Sequence, residues 1–177
     1  MIEVNGKYFE EMIPESLIQS KVLEIASKIN IDFAGKEPLF LVVMNGAMFF
    51  ASDLLQNITL PCEFAAIHAK SYGFSMESTG DVDVYMGKVD IMGKDIIIVE
   101  DIIDSGYTLN ALKNKILGGS AKSVAIAVLL SKTEMRKVDV EVNYLGFEIP
   151  AKFVVGYGLD FAGKGRNYKS IYSLVEK

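Results

Sequence analysis

Apolar residues along this chain fall into short runs divided by Gly, Asn, Asp and Ser, and the spacing inside each run predicts its conformation. After Pro14 the segment ESLIQSKVLEIASKIN places Ile18, Val22, Ile25 and Ile29 at steps of three and four, an amphipathic helix that begins at a proline. LFLVVM (39–44) is a continuous β-rich run, followed by Asn45-Gly46 and by AMFFASDLLQN, whose apolar character predicts a helix buried on most sides. FAAIHA (64–69), DIIIVE (95–100), SVAIAVLL (123–130) and AKFVVGY (151–157) are further strand candidates. Most are nearly all apolar, as expected of parallel strands covered on both faces. YTLNALKNKIL carries Leu109, Leu112 and Ile116 on one helical face and ends at Gly118-Gly119. Strand, helix, strand in succession predicts right-handed crossovers and an α/β sheet.

The stretch SYGFSMESTGDVDVYMGKVDIMGK (71–94) breaks this alternation. It is polar, rich in Gly and Ser, and too long for a plain connection, so it reads either as a lid over a site or as an exposed hairpin. There is no internal repeat and no interdomain linker.

With 177 residues, half of them apolar, the chain fits one domain with a substantial core. The longest apolar run, LFLVVMNGAMFFAS, is interrupted at Asn45-Gly46 and too short to span a bilayer. The acidic start MIEVNGKYFEEMIPES does not resemble a secretory signal, and the expected location is the cytoplasm. Cys62 and His68 are each the single residue of their type. That excludes an intramolecular disulfide and a Cys-based zinc site, and leaves a hard cation held by carboxylates and substrate oxygens as the expected kind of metal. His68 itself reads as a strand histidine satisfied by its neighbours. A net charge of −5 argues against nucleic acid as a partner, so positive charge for an anionic ligand must be supplied locally.

The residues richest in chemistry are IIIVEDIIDSGYT, 96–108. Ligands of doubly wound sheets bind beyond the carboxyl ends of strands, where this run lies. Ser105, Gly106, Tyr107 and Thr108 can present successive N–H groups and hydroxyls at a helix start, which suits a phosphate monoester. The spacing is neither GxxxxGK[ST] nor GxGxxG. Taken alone, the run is equally a turn in which Asp104 caps a helix.

VEDIIDSGYT resembles the phosphoribosyl pyrophosphate signature of type I phosphoribosyltransferases, in the hypoxanthine-guanine branch. SYG with STGDV, LLSK, and GFEIPAKFVVGYGLDF agree in order and spacing, so the resemblance runs from about Leu39 to Arg166. It implies a twisted, mainly parallel central sheet flanked by helices, with a mobile active-site loop. It also implies a single domain over 1–177, whose core would span about 14–150 and whose small hood would come from about 1–13 and 151–177. By the same resemblance, Glu100 and Asp101 would meet the ribose hydroxyls and Mg²⁺, Asp104 would act as general acid/base near purine N7, and Ser105, Gly106, Tyr107 and Thr108 would hold the 5′-phosphate. Lys132 would reach the exocyclic oxygen of a 6-oxopurine, Phe153 would stack on the base, and Val154 would contact its edge through the backbone. Asp160 would help hold Mg²⁺ near the pyrophosphate, Arg166 would bind that group, and Ser71 and Tyr72 would belong to the lid.

Asn45-Gly46 falls where the family has a short pyrophosphate-binding loop, usually with Lys or Arg before the glycine. The basic residue is absent here, which predicts weaker pyrophosphate binding than in relatives. Without the resemblance, Lys132 reads as a solvated strand-end lysine, Phe153 and Val154 as core residues, and Asp160 and Arg166 as surface charges. The activity implied is transfer of 5-phosphoribosyl from phosphoribosyl pyrophosphate to a purine base, in a homodimer or homotetramer. A xanthine-preferring enzyme and a phosphoribosyl pyrophosphate-sensing, nucleic-acid-binding regulator on the same fold are the alternatives.

Overall fold

The computed structural model describes the backbone of residues 1–71 and 82–175 and the side chains of 1–69 and 85–175. The chain runs β1 (Ile2–Val4), β2 (Lys7–Ile13), α1 (Glu15–Asp32), β3 (Leu39–Val43), α2 (Met48–Gln56), β4 (Glu63–Ser71), β5 (Val82–Tyr85), β6 (Asp95–Ile103), α3 (Tyr107–Gly118), β7 (Ser123–Ser131), a 3-10 turn (Thr133–Met135), β8 (Tyr144–Glu148), β9 (Val154–Val155) and β10 (Ile171–Leu174).

Six strands form the central sheet in the order β5-β4-β3-β6-β7-β8. β4, β3, β6, β7 and β8 are mutually parallel, and only β5 runs antiparallel, against β4. The period-two alternation of β6 divides its side chains between two layers. Ile97 and Val99 pack with α1 and α2, whereas Ile96 and Ile98 pack with α3. Because both faces are covered by helices, the inner strands are uninterrupted apolar runs, and Leu39–Val43 is buried at every position.

In α1, Ile18, Val22, Ile25 and Ile29 are all buried, as their spacing predicts. Pro14 precedes the helix in extended conformation, and its carbonyl accepts the first bonds from the N–H groups of Leu17 and Ile18. α2 departs from expectation. Phe50, Ala51 and Leu54 are buried, but Met48 is 43% exposed and Ser52 and Gln56 face outward. Only one side of this helix meets the sheet; the other borders an apolar cavity of about 380 Å³ shared with Phe64 of β4.

A second sheet, β1-β2-β10-β9, is antiparallel throughout and draws on both ends of the chain. Its core is Val4, Phe9 and Val155. The strand expected over 151–157 is reduced here to Val154–Val155, and it belongs to this sheet. The cause is local: Gly156, Tyr157 and Gly158 have φ of +98°, +49° and +101°, a left-handed run that turns the chain out of extension. The second half of 71–94 does contain a strand, β5, paired with β4. Residues 72–81, with Tyr72 and the STG segment of the expected lid, lie outside the described residues, as does the side chain of Ser71. His68 lies on a strand, as expected, exposed on β4 and opposite Tyr85 of β5.

Candidate active site

β6 continues past the expected end of its strand to Ile103, which pairs with Ser131 of β7. One residue beyond that pair the two chains carry Asp104 and Lys132, whose backbone N–H bonds to the Ile103 carbonyl at 3.0 Å. Parallel register therefore sets the two side chains side by side, and Lys132 Nζ lies 3.0 Å from Asp104 Oδ1. The lysine side chain is only 13% exposed and Asp104 is 51% exposed, so the ammonium is largely enclosed while the carboxylate opens to solvent. Lys132 is not a solvated strand end.

Gly106 is the N-cap of α3, with φ +87° and no side-chain cap, so Asp104 does not cap the helix. A Cβ at Gly106 would stand 2.8 Å from the Val138 carbonyl oxygen, and the position needs glycine on both counts. The Ser105 carbonyl accepts from the N–H groups of Lys137 and Val138 at 2.9 and 3.1 Å, bracing the turn from behind. In front lies a cavity of about 230 Å³ lined by Glu100, Asp104, Ser105, Gly106 and Thr108. Tyr107 and Thr108 begin the helix, so their N–H groups belong to its unbonded first turn, where an anion is favoured.

Glu100 lines that cavity, and its Oε2 is buried with no hydrogen-bond partner. Asp101 packs against Gly46, where a Cβ would fall 1.6 Å from Asp101 Oδ2. Burial raises the pKa of both carboxyls, and the neighbouring Asp101 charge raises that of Glu100 further. For Asp101 the N–H of Ile102, donating to Oδ1 at 2.8 Å, and the charge of Arg166 pull in the opposite direction. An unpartnered buried oxygen beside a second carboxylate fits a bound cation or a diol donor. Among the described residues no group of three His, Cys, Asp or Glu side chains is placed to hold a metal alone. These carboxylates therefore suit a hard cation such as Mg²⁺ whose remaining ligands come from a substrate and water.

A third cluster surrounds the turn at 44–47, where the Met44–Asn45 peptide is cis and Asn45 is exposed. The Gly46 carbonyl abuts Gly158, whose Cβ, if present, would lie 2.0 Å from that oxygen. Arg166 donates from Nη1 to the Gly158 carbonyl at 2.5 Å and from Nη2 to Asp160 Oδ1 at 2.6 Å. Asp160 Oδ2 accepts the Gly163 N–H at 2.7 Å. Asn45, Gly46, Asp101, Gly158, Asp160 and Arg166 thus form one continuous chain of contacts, and Asp160 and Arg166 are a mutual pair instead of separate surface charges.

Phe153 precedes β9, 44% exposed, its ring held edge-on by Phe161 at 5.5 Å and tilted against Phe9 at 6.4 Å. Val154 is 5% exposed. Sequence reasoning missed Gly158 and Tyr157, and the alternation of glycines around Tyr157 was the signal available. It also missed Phe161, which nothing in the pattern distinguishes from other aromatics.

The family model described as a phosphoribosyl transferase domain matches residues 13–162. A hypoxanthine phosphoribosyltransferase of Salmonella typhimurium is 41% identical over 94% of this chain and 95% of its own. A hypoxanthine-guanine phosphoribosyltransferase of Bacillus subtilis is 40% identical over 88% of this chain and 87% of its own. Among solved structures, a hypoxanthine-guanine phosphoribosyltransferase of Bacillus anthracis superposes with a TM-score of 0.89 at 43% identity, covering 94% of this chain and 98% of that one.

Proposed function

Since the chain belongs to the phosphoribosyl transferase domain family and is similar along nearly its whole length to hypoxanthine-guanine phosphoribosyltransferases, we propose that it is a purine salvage enzyme, a pentosyltransferase. It transfers the 5-phosphoribosyl group from phosphoribosyl pyrophosphate to N9 of hypoxanthine or guanine, giving IMP or GMP and pyrophosphate. The observation that carries this reading is the Asp104–Lys132 pair beside the uncapped start of α3. A carboxylate and a pure hydrogen-bond donor beside a helix start with free N–H groups support a reading in which the first handles a proton, the second meets an oxygen and the helix start takes a phosphate.

The 5′-phosphate is bound by the first turn of α3, through backbone N–H groups of Ser105 to Thr108 and the hydroxyls of Ser105 and Thr108. Glu100 and Asp101 take the ribose diol, whose hydroxyls donate to carboxylates, which explains acidic residues beside a phosphate cradle. These two residues and Asp160 would hold Mg²⁺ through oxygens of the substrate; when bound it offsets charge on the pyrophosphate. Arg166, oriented by Asp160 and Gly158, binds that leaving group with its planar guanidinium, and Asn45-Gly46 contributes backbone contacts. Phe153 stacks on the purine and the Val154 backbone meets its edge. An ammonium can donate but not accept, so Lys132 selects a 6-oxo group over the amino group of adenine.

During reaction the bond from the anomeric carbon to pyrophosphate breaks and the bond to N9 forms, with positive charge building on the ribose between the two. Asp104 manages the proton at N7. Ser71 and Tyr72 belong to the substrate-binding set, and excluding water from the electrophile is the purpose such residues would serve. The chain acts as one domain, with a core of about 14–150 and a hood of about 1–13 and 151–177, in a cytoplasmic homodimer or homotetramer. No helix is long and apolar enough to cross a membrane among the described residues.

Nucleotide formation measured with phosphoribosyl pyrophosphate, Mg²⁺ and hypoxanthine, guanine, xanthine or adenine in turn tests the proposal. Turnover of hypoxanthine or guanine that stops with chelator and returns with Mg²⁺ is expected. Failure with every purine overturns it, and preference for xanthine corrects the substrate.

A further inference from the structure

Tyr157 occupies an unusual position. It is 4% exposed, yet its φ of +49° lies in the left-handed region that a residue with a bulky side chain seldom adopts. Its hydroxyl donates to Asp53 Oδ2 at 2.6 Å, and the same oxygen accepts from Gln19 Nε2 at 2.6 Å. Its ring lies 6.2 Å from that of Phe49. Burial, and then the hydrogen bond to Asp53, raises the Tyr157 phenol above its ordinary range, so it remains a donor at neutral pH. A hydrogen bond to a carboxylate is among the stronger fixings available to a side chain, and this one is partly shielded from water.

Each end of this bond belongs to an element that leads to the leaving-group end of the site. Asp53 and Phe49 lie on α2, which begins directly after the 44–47 turn. Tyr157 is followed by Gly158, whose carbonyl takes Arg166 and whose Cα rests on the Gly46 carbonyl. Asp160 follows, paired with Arg166. The approach of Gly158 to Gly46 leaves no room for a side chain between them, so a change in the pitch of either element displaces the arginine and the turn relative to each other.

We infer that Asp53 and Tyr157 are positioning residues that clasp the 156–160 loop to α2, hold Arg166 and Asp160 in register with Asn45-Gly46, and thereby set affinity for the pyrophosphate moiety. The purine end is held by other bonds: Asp104 and Lys132 by the register of β6 with β7, and Phe153 and Val154 by the pairing of β9 with β10, so it depends less on the clasp. This inference rests on the transferase reading. It also supplies what the turn lacks, since a rigidly aimed guanidinium matters more where position 45 carries no cation.

The test is steady-state kinetics on the full chain with Tyr157→Phe, Asp53→Ala, the double variant, and Asp53→Asn. Tyr157→Phe removes one oxygen and is expected to raise KM for phosphoribosyl pyrophosphate and the inhibition constant of pyrophosphate about fivefold to tenfold, while KM for hypoxanthine stays within about twofold. Asp53→Ala is expected to match it, and the double variant to be no worse than the poorer single, the non-additivity of a shared bond. Asp53→Asn, which keeps an acceptor, recovers most of the affinity and serves as the reading if either truncation fails to fold. Unchanged pyrophosphate inhibition, an equal rise in both KM values, or additive losses would overturn the clasp. An active wild type with an unaltered Tyr157→Phe removes the clasp alone, whereas a wild type inactive with every purine removes the transferase reading and this inference with it.

Discussion

Gly46→Ala adds a single methyl group where the structure has no space for it. The new Cβ would stand 1.6 Å from Asp101 Oδ2 and 2.5 Å from its Cγ, while non-bonded heavy atoms settle near about 3.5 Å, so the carboxylate has to retreat by about 2 Å. Gly46 is not among the glycines with positive φ, so the substitution adds no backbone penalty, and the whole effect falls on Asp101. Retreat breaks the 2.8 Å bond from the Ile102 N–H to Asp101 Oδ1. Losing a hydrogen bond to a buried charged group costs about 1–3 kcal/mol, which for a chain of this size lowers Tm by about 3–10 °C. If Asp101 binds substrate as proposed, the functional effect is larger, because displacing such a group by an ångström or more lowers catalytic efficiency about a hundredfold. Differential scanning calorimetry and kcat/KM for phosphoribosyl pyrophosphate measure the two effects. A Gly46→Ala protein with wild-type kcat/KM would show that Asp101 has freedom this packing denies it.

Three other substitutions address separate parts of the molecule. Asp104→Asn lowers kcat by about a hundredfold or more while changing phosphoribosyl pyrophosphate binding less, and equal turnover in the variant would remove Asp104 from acid/base chemistry. Asn45→Lys restores a cation at an exposed position and tightens pyrophosphate binding about twofold to fivefold by competition assay; unchanged affinity would count against the idea that its absence weakens the grip. Asp95, at the head of β6, accepts from Ser123 Oγ at 2.6 Å and pairs with Lys122 Nζ at 3.0 Å, and the Ser123 bond is the main cause holding its pKa below the ordinary value. A depressed folded-state pKa gives stability present above the unfolded value of about 4 and lost as pH falls through the folded one. Asp95→Asn is therefore less stable than wild type in urea at pH 6, and the gap closes below about pH 4; a gap of constant size at both pH values contradicts the linkage.

The central sheet was legible because its strands are buried on both faces and so announce themselves as apolar runs, as in LFLVV and DIIIVE. α1 was equally plain, since Ile18, Val22, Ile25 and Ile29 fix its inner face. β2 and β10 were harder to see: KYFEEMI mixes charges with apolar residues, and its reason for being extended is a partner more than 150 positions away at Ile171–Leu174. β8 hides a glycine, Gly146, which fits closely against the Leu129 carbonyl but lowers strand propensity in any local reading. In the site, the motif order located Asp104 and Lys132, and the register of β6 with β7 explains their meeting. The joining of Gly46 to Gly158 could not be read from sequence, because close approach between two backbones leaves no side-chain pattern.

The sheet that draws on both ends of the chain gives synthesis a direction. β10 lies between β2 and β9 and is hydrogen-bonded to both, so neither earlier strand acquires that neighbour until residues 171–174 have been made. The parallel layers around β3, β6 and β7 can pack while the nascent chain is still growing, but Val154–Val155 has no paired strand until β10 is made. A chain halted before residue 171 would thus carry the turn at 104–108 and the helix that follows it, but leave Val154–Val155 without the strand that pairs with it.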